Sequence, residues 1–183
     1  MHPSDGDAIV VTRTYLELRE LAELRRAPEP GEPGELVRVE QPSLETYRAL
    51  YALVGGPWHW RDRNLWSDIQ LADYLASPDV HIHELTVAGA RAGFFELRRD
   101  DHTVEIMYFG LATSFMGRGL GGWMLTRAVD EAETLGASRV ILNTCTLDAP
   151  AALPNYLARG FRVIRQELVE SSPESSRATT PAP

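Results

Sequence analysis

Residues 80–111 contain strand-like runs that follow one another with almost no connecting sequence. The runs are residues 80–87, 91–98 and 103–111, and the turns between them are residues 88–90 and 100–102. Turns this short connect antiparallel neighbours, whereas parallel strands need a long crossover. The sequence therefore predicts an antiparallel meander in the middle of the chain.

A glycine-rich segment, residues 117–122, follows the meander and opens a predicted helix whose apolar positions recur at helical spacing. Gly136 is suited to end that helix. The β-branched run at residues 140–145 comes after the helix, so we expect it to return to the sheet as a parallel strand. A short helix at residues 151–159 and a strand at 161–168 follow. The expected fold is mixed α/β, with a central, mostly antiparallel sheet flanked by helices.

The two ends of the chain differ in composition from its middle. Residues 9–16 are predicted to form a strand, and the Pro-, Gly- and Glu-rich stretch after it has the composition of a linker or surface loop. The last residues are rich in Ser, Thr and Pro and are predicted to be a disordered tail. We therefore divide the chain into an N-terminal strand and linker at 1–35, a folded domain at 36–170, and a tail at 171–183.

Charge and hydropathy exclude several classes of protein. The chain has 18 Lys and Arg residues against 26 Asp and Glu residues, a net charge of −8. An acidic balance argues against nucleic-acid binding, which needs a basic surface. The apolar runs are shorter than the ~20 residues that cross a bilayer, and the first residues lack the features of a secretory signal. We expect a cytoplasmic protein that binds neither nucleic acid nor membrane.

The metal-ligating residue types are few. Cys145 is the only cysteine, so the chain can form neither an intramolecular disulfide nor a cysteine-cluster metal site. His81 and His83 share one face of a predicted strand, but no third ligand lies near them in the sequence. We expect no metal site.

The glycine-rich segment is a candidate anion site. It leaves backbone N–H groups unobstructed at the start of a helix, where the macrodipole favours negative charge. It also satisfies Gly-x-Gly-x-x-Gly, the fingerprint of dinucleotide-binding oxidoreductases. In that fold the first glycine follows a first strand directly and an acidic residue ends the next strand, and neither holds here. A dinucleotide-binding oxidoreductase therefore remains only as a further alternative.

Two segments together resemble the GNAT N-acetyltransferase superfamily. The pyrophosphate loop of that family has Arg or Gln, two residues, Gly, one residue, and Gly or Ala. Here the corresponding frame is Met116-Gly117-Arg118-Gly119-Leu120-Gly121. The family's second signature, a short Ala-containing helix that carries Tyr and ends in Gly-Phe, resembles residues 150–161. The likeness covers residues 36–168 and implies the GNAT acyl-CoA N-acyltransferase fold.

The resemblance implies an enzyme that moves the acetyl group of acetyl-CoA, a cosubstrate, to a primary amine of a small molecule or peptide. The amine would attack directly in a ternary complex. Met116 replaces the usual Arg or Gln, and Ala149 stands where many members have Asn. These departures keep open a non-catalytic acyl-CoA-binding or sensor module. The oligomeric state is left open, with a homodimer as one alternative.

The resemblance also implies where acetyl-CoA would bind. In GNAT proteins the strand before the pyrophosphate loop splays from its neighbour, and its backbone holds the pantetheine arm. The implied cofactor-binding residues are Phe109, Gly110, Leu111, Met116, Gly117, Arg118, Gly119, Leu120, Gly121 and Gly122.

Two acidic residues are candidates for the general base. Strand alternation places Glu105 on the same face as Met107, Phe109 and Leu111, and a carboxylate in so apolar a strand is costly to bury unless it is paired or used. Some family members carry their base at the matching position. The alternative is that Glu105 lies near the exposed start of the strand. Glu96 is the reserve base, with an outward-facing hairpin residue as its alternative.

Tyr156 matches the family tyrosine that protonates the coenzyme A thiolate. A phenol can do this only when it is held close to the sulfur. The alternative is that Tyr156 is an aromatic core residue on a short helix.

Two helices are predicted before the meander, one that begins near residue 42 and stops at Gly55-Gly56-Pro57 and one at residues 68–75 with Ser67 as its N-cap. A tryptophan-rich loop at residues 55–66, the tryptophan loop, connects them, and in GNAT folds this connection borders the acceptor pocket. Its candidate substrate-binding residues are Trp58, His59, Trp60 and Asp62. Aromatic faces supply contact area, and a charged side chain could orient an amine. The alternative is that the tryptophans cover the core beneath a long loop.

Overall fold

The structure is a computed structural model and describes residues 9–171. The predicted tail lies outside the described residues except for Ser171. The strands are β1 (Ile9–Leu18), β2 (Glu35–Val39), β3 (Val80–Val87), β4 (Ala90–Asp100), β5 (Thr103–Leu111), β6 (Arg139–Cys145) and β7 (Arg162–Ser171). The helices are α1 (Leu44–Gly55), α2 (Asp68–Leu75), α3 (Leu120–Thr134) and α4 (Ala152–Ala158). Within the described range, no helix is long and apolar enough to span a membrane.

The predicted meander and the parallel return strand are both confirmed. The seven strands form one sheet in the order β2-β3-β4-β5-β6-β1-β7, and only the pair β5 and β6 is parallel. The turn between β3 and β4 places Ala88 and Gly89 at φ values of 50° and 78°, and Asp101 has φ 52° in the next turn. Such left-handed residues suit tight hairpins. The fold is the mixed α/β arrangement that the sequence predicts.

The N-terminal strand lies inside the sheet. β1 pairs antiparallel with β6 on one side and with β7 on the other. Leu16 and Leu18 are fully buried and belong to the same core as α3. β1 is thus the only strand of the described chain that supports β6 along the outer part of its length. The predicted division at residue 35 remains a prediction, although β1 shares its sheet and core with the later elements.

Two apolar layers cover the two faces of the sheet. On one face the buried side of α3 packs on the strands, and its apolar residues Leu120, Met124, Ala128 and Ala132 are all fully buried. On the other face α1 and α2 pack on β3, β4 and β5. Ser43 caps α1, and Ser67 with Gln70 forms a capping box that starts α2, as the sequence predicts for Ser67.

The Pro-, Gly- and Glu-rich stretch lies along α3. The backbone N–H of Ala27 donates to Thr126 Oγ1 at 3.1 Å, and the Arg26 guanidinium pairs with Asp130 at 2.6 Å. Glu29 pairs with Arg127 at 3.1 Å. These contacts hold an irregular segment against the exposed side of the helix.

Candidate functional site

The sheet opens between β5 and β6. These strands pair only from Thr103 opposite Arg139 to Ile106 opposite Leu142, and both continue beyond that point. A β-bulge lies at the same place, because the register between β4 and β5 shifts at Met107. Bulges bend a strand and increase its local twist. The bulge therefore accounts for the separation of the end of β5 from β6.

A cleft of about 920 Å³, including its open mouth, begins at this separation. Its wall comes from β5, the start of α3, the β6–α4 connection, α4 and the tryptophan loop. The lining residues are Val54, Trp58, Trp60, Phe109, Gly110, Leu111, Met116, Gly117, Gly119, Gly121, Gly122, Asp148, Ala149, Ala151, Ala152, Asn155 and Tyr156. A Cβ on Gly110 would lie 2.5 Å from Val54 Cγ1, so α1 can approach β5 closely only because residue 110 is glycine.

The glycine-rich segment at residues 117–122, the glycine turn, leads into α3, and no side chain caps this helix. Gly117 and Gly119 have φ values of 77° and 79°, which L side chains rarely adopt. Gly119 is the N-cap of α3, no side chain caps the helix, and no acidic residue occupies its first turn. The first amides of a 15-residue helix at the edge of the cleft form a site that favours anions.

Most of the predicted cofactor residues line the cleft, but two do not. Leu120 is fully buried in the core under α3. Arg118 is exposed and pairs with Glu32 at 3.3 Å. Arg118 lies in the turn and Leu120 is the first residue of α3, and neither forms part of the cleft wall.

Tyr156 lines the cleft from α4. Its side chain is almost fully buried, and its ring packs edge-on against Phe109 and Phe161 with centroid separations of 6.1 and 6.2 Å. The neighbouring Asn155 donates from Nδ2 to the carbonyl of Gly121 at 3.2 Å. This bond connects α4 to the first turn of α3, and the sequence reasoning missed it. Tyr156 is thus both a packed aromatic residue and part of the cleft wall.

Asp148 is a cleft residue that the sequence reasoning also missed. It follows β6 and accepts hydrogen bonds from Thr144 Oγ1 at 2.6 Å, from the Cys145 amide at 3.0 Å and from Trp60 Nε1 at 3.1 Å. The available signal was a single acidic residue just after a strand that returns beside the glycine turn. Among the lining residues of the described chain, Asp148 is the only one with a charged side chain.

The tryptophan loop divides between the cleft and the core. Trp58 and Trp60 line the cleft, and Trp60 also packs against Tyr51 and Tyr108. Trp58 Nε1 is buried with no hydrogen-bond partner among residues 9–171. His59 is exposed and Asp62 is buried, and neither lines the cleft. The structure therefore brings the aromatic members of this set to the cleft and leaves the two polar members outside it.

Glu105 does not lie where alternation predicts. Ile106 packs on the α3 side, Met107 and Tyr108 both pack on the α1–α2 side, and Leu111 returns to the α3 side. The expectation that Glu105 shares a face with Phe109 and Leu111 is wrong because the bulge at Met107 interrupts the alternation. The Glu105 carboxylate pairs with Arg98 at 3.1 Å and does not line the cleft.

Glu96 is the centre of a buried polar cluster, so its interpretation as an outward hairpin residue is wrong. It is fully buried and accepts from Arg63 Nη2 at 2.9 Å, from Tyr47 Oη at 2.5 Å and from the Tyr74 hydroxyl. Arg63 also stacks on Trp66, with its guanidinium carbon 4.0 Å from the ring centroid. The cluster fastens the tryptophan loop, α1 and α2 to β4.

Burial and the charge of Glu96 together set the ionisation states of Arg63, Tyr47 and Tyr74. Burial raises the pKa of the Tyr47 hydroxyl, and the negative charge of Glu96 raises it further. The same two causes raise the pKa of Tyr74. Burial opposes the charged form of Arg63, but the Glu96 carboxylate outweighs it and the net pKa is raised. Arg63 therefore stays protonated and both phenols stay neutral.

His81 and His83 both lie on β3 and are buried. Burial, with the positive charge of Arg38 on β2 and the neighbouring His81, lowers the pKa of His83 to about 4. Within residues 9–171, no three His, Cys, Asp or Glu side chains group so that they could hold a metal ion.

Residues 45–161 match the family model described as the acetyltransferase (GNAT) family. No curated protein matches the chain. A GCN5-related N-acetyltransferase from Kribbella flavida has 19% identity and a TM-score of 0.59, over 83% of this chain and 54% of that one. This chain thus spans little more than half the length of that relative.

Two further structures have the same fold. An aminoglycoside acetyltransferase from an uncultured soil metagenomic sample, in complex with trehalose, has 14% identity and a TM-score of 0.58, over 69% of this chain and 86% of that one. An acetyltransferase from Bacillus subtilis in complex with CoA has 21% identity and a TM-score of 0.56, over 72% of this chain and 78% of that one. At these identities the likeness shows the fold alone. The family model, which matches more than half of the sequence, shows that the chain belongs to the GNAT acetyltransferase family of acyl-transferring enzymes.

Proposed function

We propose that this protein transfers the acetyl group of acetyl-CoA to a primary amine of a small molecule or peptide. The observation that carries the proposal is the opening between β5 and β6, which ends at the uncapped first turn of α3. The end of β5 can present backbone groups along one side of the opening, and the first amides of α3 can bind a diphosphate at its far end. The CoA complex of a protein with the same fold supports this cosubstrate.

The glycine turn would hold the diphosphate of the cosubstrate through the first amides of α3. Phe109, Gly110 and Leu111 would present their backbone groups to the pantetheine arm, as strands do to an added strand. A thioester bound in this way would have its carbonyl carbon beside the aromatic wall of the cleft. The acceptor would approach from the side of the tryptophan loop.

The transfer itself needs no covalent intermediate on the protein. The amine nitrogen forms a bond to the thioester carbon, the carbon–sulfur bond breaks, and the electron pair leaves with the sulfur. The products are the amide, coenzyme A and one proton for each ammonium consumed. In this proposal the Tyr156 hydroxyl donates a proton to the departing thiolate and regains one from the nitrogen.

The resemblance implies Glu105 as the base that removes the first proton. Its carboxylate pairs with Arg98 outside the cleft wall, so the proposal gives it a role only through an intervening water. We also propose a cytoplasmic location, since the single cysteine shows that the fold is not built on intramolecular disulfides of the kind common in secreted domains.

A non-catalytic acyl-CoA-binding module is the second candidate. Met116 and Ala149 both line the cleft at positions where the family usually has polar side chains. This candidate predicts acetyl-CoA binding without amine-dependent release of free thiol. A dinucleotide-binding oxidoreductase is set aside because the glycine turn follows an antiparallel meander in a GNAT-family chain.

The test is the thermal stability of the protein with acetyl-CoA, longer acyl-CoAs, free coenzyme A, NADH or NADPH. At a hundredfold excess over Kd, binding adds about 2.7 kcal/mol, which raises the unfolding midpoint by roughly 5 to 10 °C for a protein of this size. Gly121→Glu should abolish the shift with acetyl-CoA, since it places a carboxylate where the amides favour an anion.

Gly121→Ala is the matched control. A Cβ at this position would lie 3.7 Å from Asn155 Nδ2 and 3.8 Å from Leu111 Cδ1, which are ordinary contacts. This variant should keep most of the shift. No shift with any CoA species in the folded wild-type protein would refute the proposed cosubstrate. Binding without thiol release across a panel of amines would favour the non-catalytic module.

A further inference from the structure

Asp148 is held rigidly in the wall of the cleft. Its Oδ2 accepts from Thr144 Oγ1 and from the Cys145 amide, and its Oδ1 accepts from Trp60 Nε1. Its own amide donates to the Cys145 carbonyl at 3.0 Å, which closes a tight turn after β6. A side chain fixed by three donors keeps one orientation, as a group that positions a ligand must.

The surroundings of Asp148 strengthen the attraction of its carboxylate for a cation. The tryptophan-loop side of the cleft is formed by apolar residues, chiefly Val54, Trp58, Trp60 and Phe109. A carboxylate beside a low-dielectric wall attracts a cation more strongly than a carboxylate in open solvent does. Since α3 directs its positive end to the other part of the cleft, the two regions favour ligand groups of opposite charge.

We propose that Asp148 binds the ammonium group of the acceptor, and that the acceptor is a monoamine with an apolar or aromatic body. This inference rests on the proposed function and names the substrate class of that site. The ammonium lies against Asp148 while the rings of Trp58 and Trp60 contact the body of the amine. Indole rings also attract cations through their faces.

The charge of the cleft argues against polycationic acceptors. An aminoglycoside or a polyamine carries several ammonium groups, and each group that loses water without a counter-ion costs binding energy. The cleft wall supplies one carboxylate, Asp148, among the described residues. The fold is shared with an aminoglycoside acetyltransferase, but the charge of this cleft predicts a different acceptor.

The experiment measures amine binding directly, by calorimetry, with the protein saturated with coenzyme A. The probes are 2-phenylethylamine, its neutral analogue 2-phenylethanol, and kanamycin as a polycation. Wild-type protein should bind 2-phenylethylamine at least about tenfold more tightly than either of the other two, a difference of about 1.4 kcal/mol. Comparing probes on the wild-type protein makes this result independent of any variant's folding.

Asp148→Asn removes the charge while keeping a side chain of the same shape. We expect it to weaken 2-phenylethylamine binding by about 10- to 100-fold and to leave 2-phenylethanol binding unchanged. Asp79→Asn is the control, because Asp79 is exposed and pairs with Arg99 outside the cleft wall. It should bind all probes like the wild type.

Equal binding of the amine and the alcohol to wild-type protein, or tighter binding of kanamycin, would overturn the inference. Unchanged amine affinity in a folded Asp148→Asn protein would do the same. Failure of the proposed function looks different: amine binding would still depend on Asp148, but no acetylated amine would form from acetyl-CoA.

Discussion

At the scale of single residues, Tyr156 combines a packed ring with a place in the wall of the cleft. The ring contacts Phe109 and Phe161, so a phenylalanine in its place preserves the packing. If the hydroxyl protonates the thiolate, removing it slows the chemical step and leaves cosubstrate binding intact.

We therefore expect Tyr156→Phe to lower kcat by at least about tenfold, within the range of general-acid effects. The midpoint shift that acetyl-CoA produces should stay within about 1 to 2 °C of the wild-type shift. Steady-state release of free thiol measures the first quantity. Tyr15→Phe is the control, since the Tyr15 hydroxyl donates to Glu167 away from the cleft. Unchanged turnover in Tyr156→Phe would remove this residue from the mechanism.

The residues that sequence reasoning could place are those with a local pattern. Glycines before a helix are recognisable from their spacing, and the resemblance to the GNAT family singles out the tyrosine in a Gly-Phe frame. Most of these residues line the cleft. Asp148 has no such pattern, because its position depends on where β6 leaves β5. The environment of Glu96 depends on Arg63, which lies on a distant loop.

At the scale of elements, a buried ion pair joins the tryptophan loop to the sheet. Arg63 and Glu96 are both almost completely buried and 2.9 Å apart. Removing one partner leaves a buried charge without compensation, which costs about 3–5 kcal/mol, whereas removing both costs less than the sum of the two.

The variants Glu96→Gln and Arg63→Met should each lower the free energy of unfolding by about 3–5 kcal/mol. The double variant should lose clearly less than the sum, since it leaves neither buried charge without its partner. Urea denaturation measures all three. Asp79→Ala, which breaks an exposed pair with Arg99, should cost less than about 1 kcal/mol. Additive losses would show that the two charges do not depend on each other.

Element types were predictable from the sequence, but a bulge was not. The meander, α3 and the parallel strand β6 follow from turn length and periodicity. The face of each residue in β5 does not, because the extra residue Met107 reverses the alternation partway along the strand. A pattern of period two carries no information about where such an insertion occurs.

At the scale of the whole molecule, buried histidines link stability to pH. The pKa of His83 is about 4 in the folded protein, below its usual value near 6.5, so the unfolded chain binds the proton more readily. Folded stability therefore falls as the pH drops from 6.5 towards 4. The groups around His83 include Arg38 on β2, His81 on β3 and Glu131 on α3 at 3.7 Å. Burial is the largest cause of the lowered pKa of His83.

We expect the free energy of unfolding to fall between about pH 7 and pH 4, with His83 contributing about 3 kcal/mol of the loss. In His83→Leu the loss over that interval should be smaller by about this amount. Urea denaturation at several pH values tests this. His102→Gln, which replaces an exposed histidine, should retain the wild-type slope. An identical slope in His83→Leu would show that other groups cause the acid sensitivity.

The position of β1 was not predictable, because no local pattern in residues 9–18 indicates which strands β1 pairs with. Its neighbours β6 and β7 are the last two strands of the described chain. A strand that pairs so far along the sequence is specified only by the completed sheet.

The position of β1 between β6 and β7 determines when the sheet can be completed during synthesis. During synthesis β1 emerges before its partners, so its buried residues Leu16 and Leu18 have no sheet to join until β6 and β7 follow. Past Leu142, β6 no longer pairs with β5 and is held by β1, where Arg13 lies opposite Cys145. A nascent chain can contain a complete meander and a complete α3 while one wall of the cleft is still missing. The proposed acyl-CoA site is therefore complete only when the two ends of the folded chain have met.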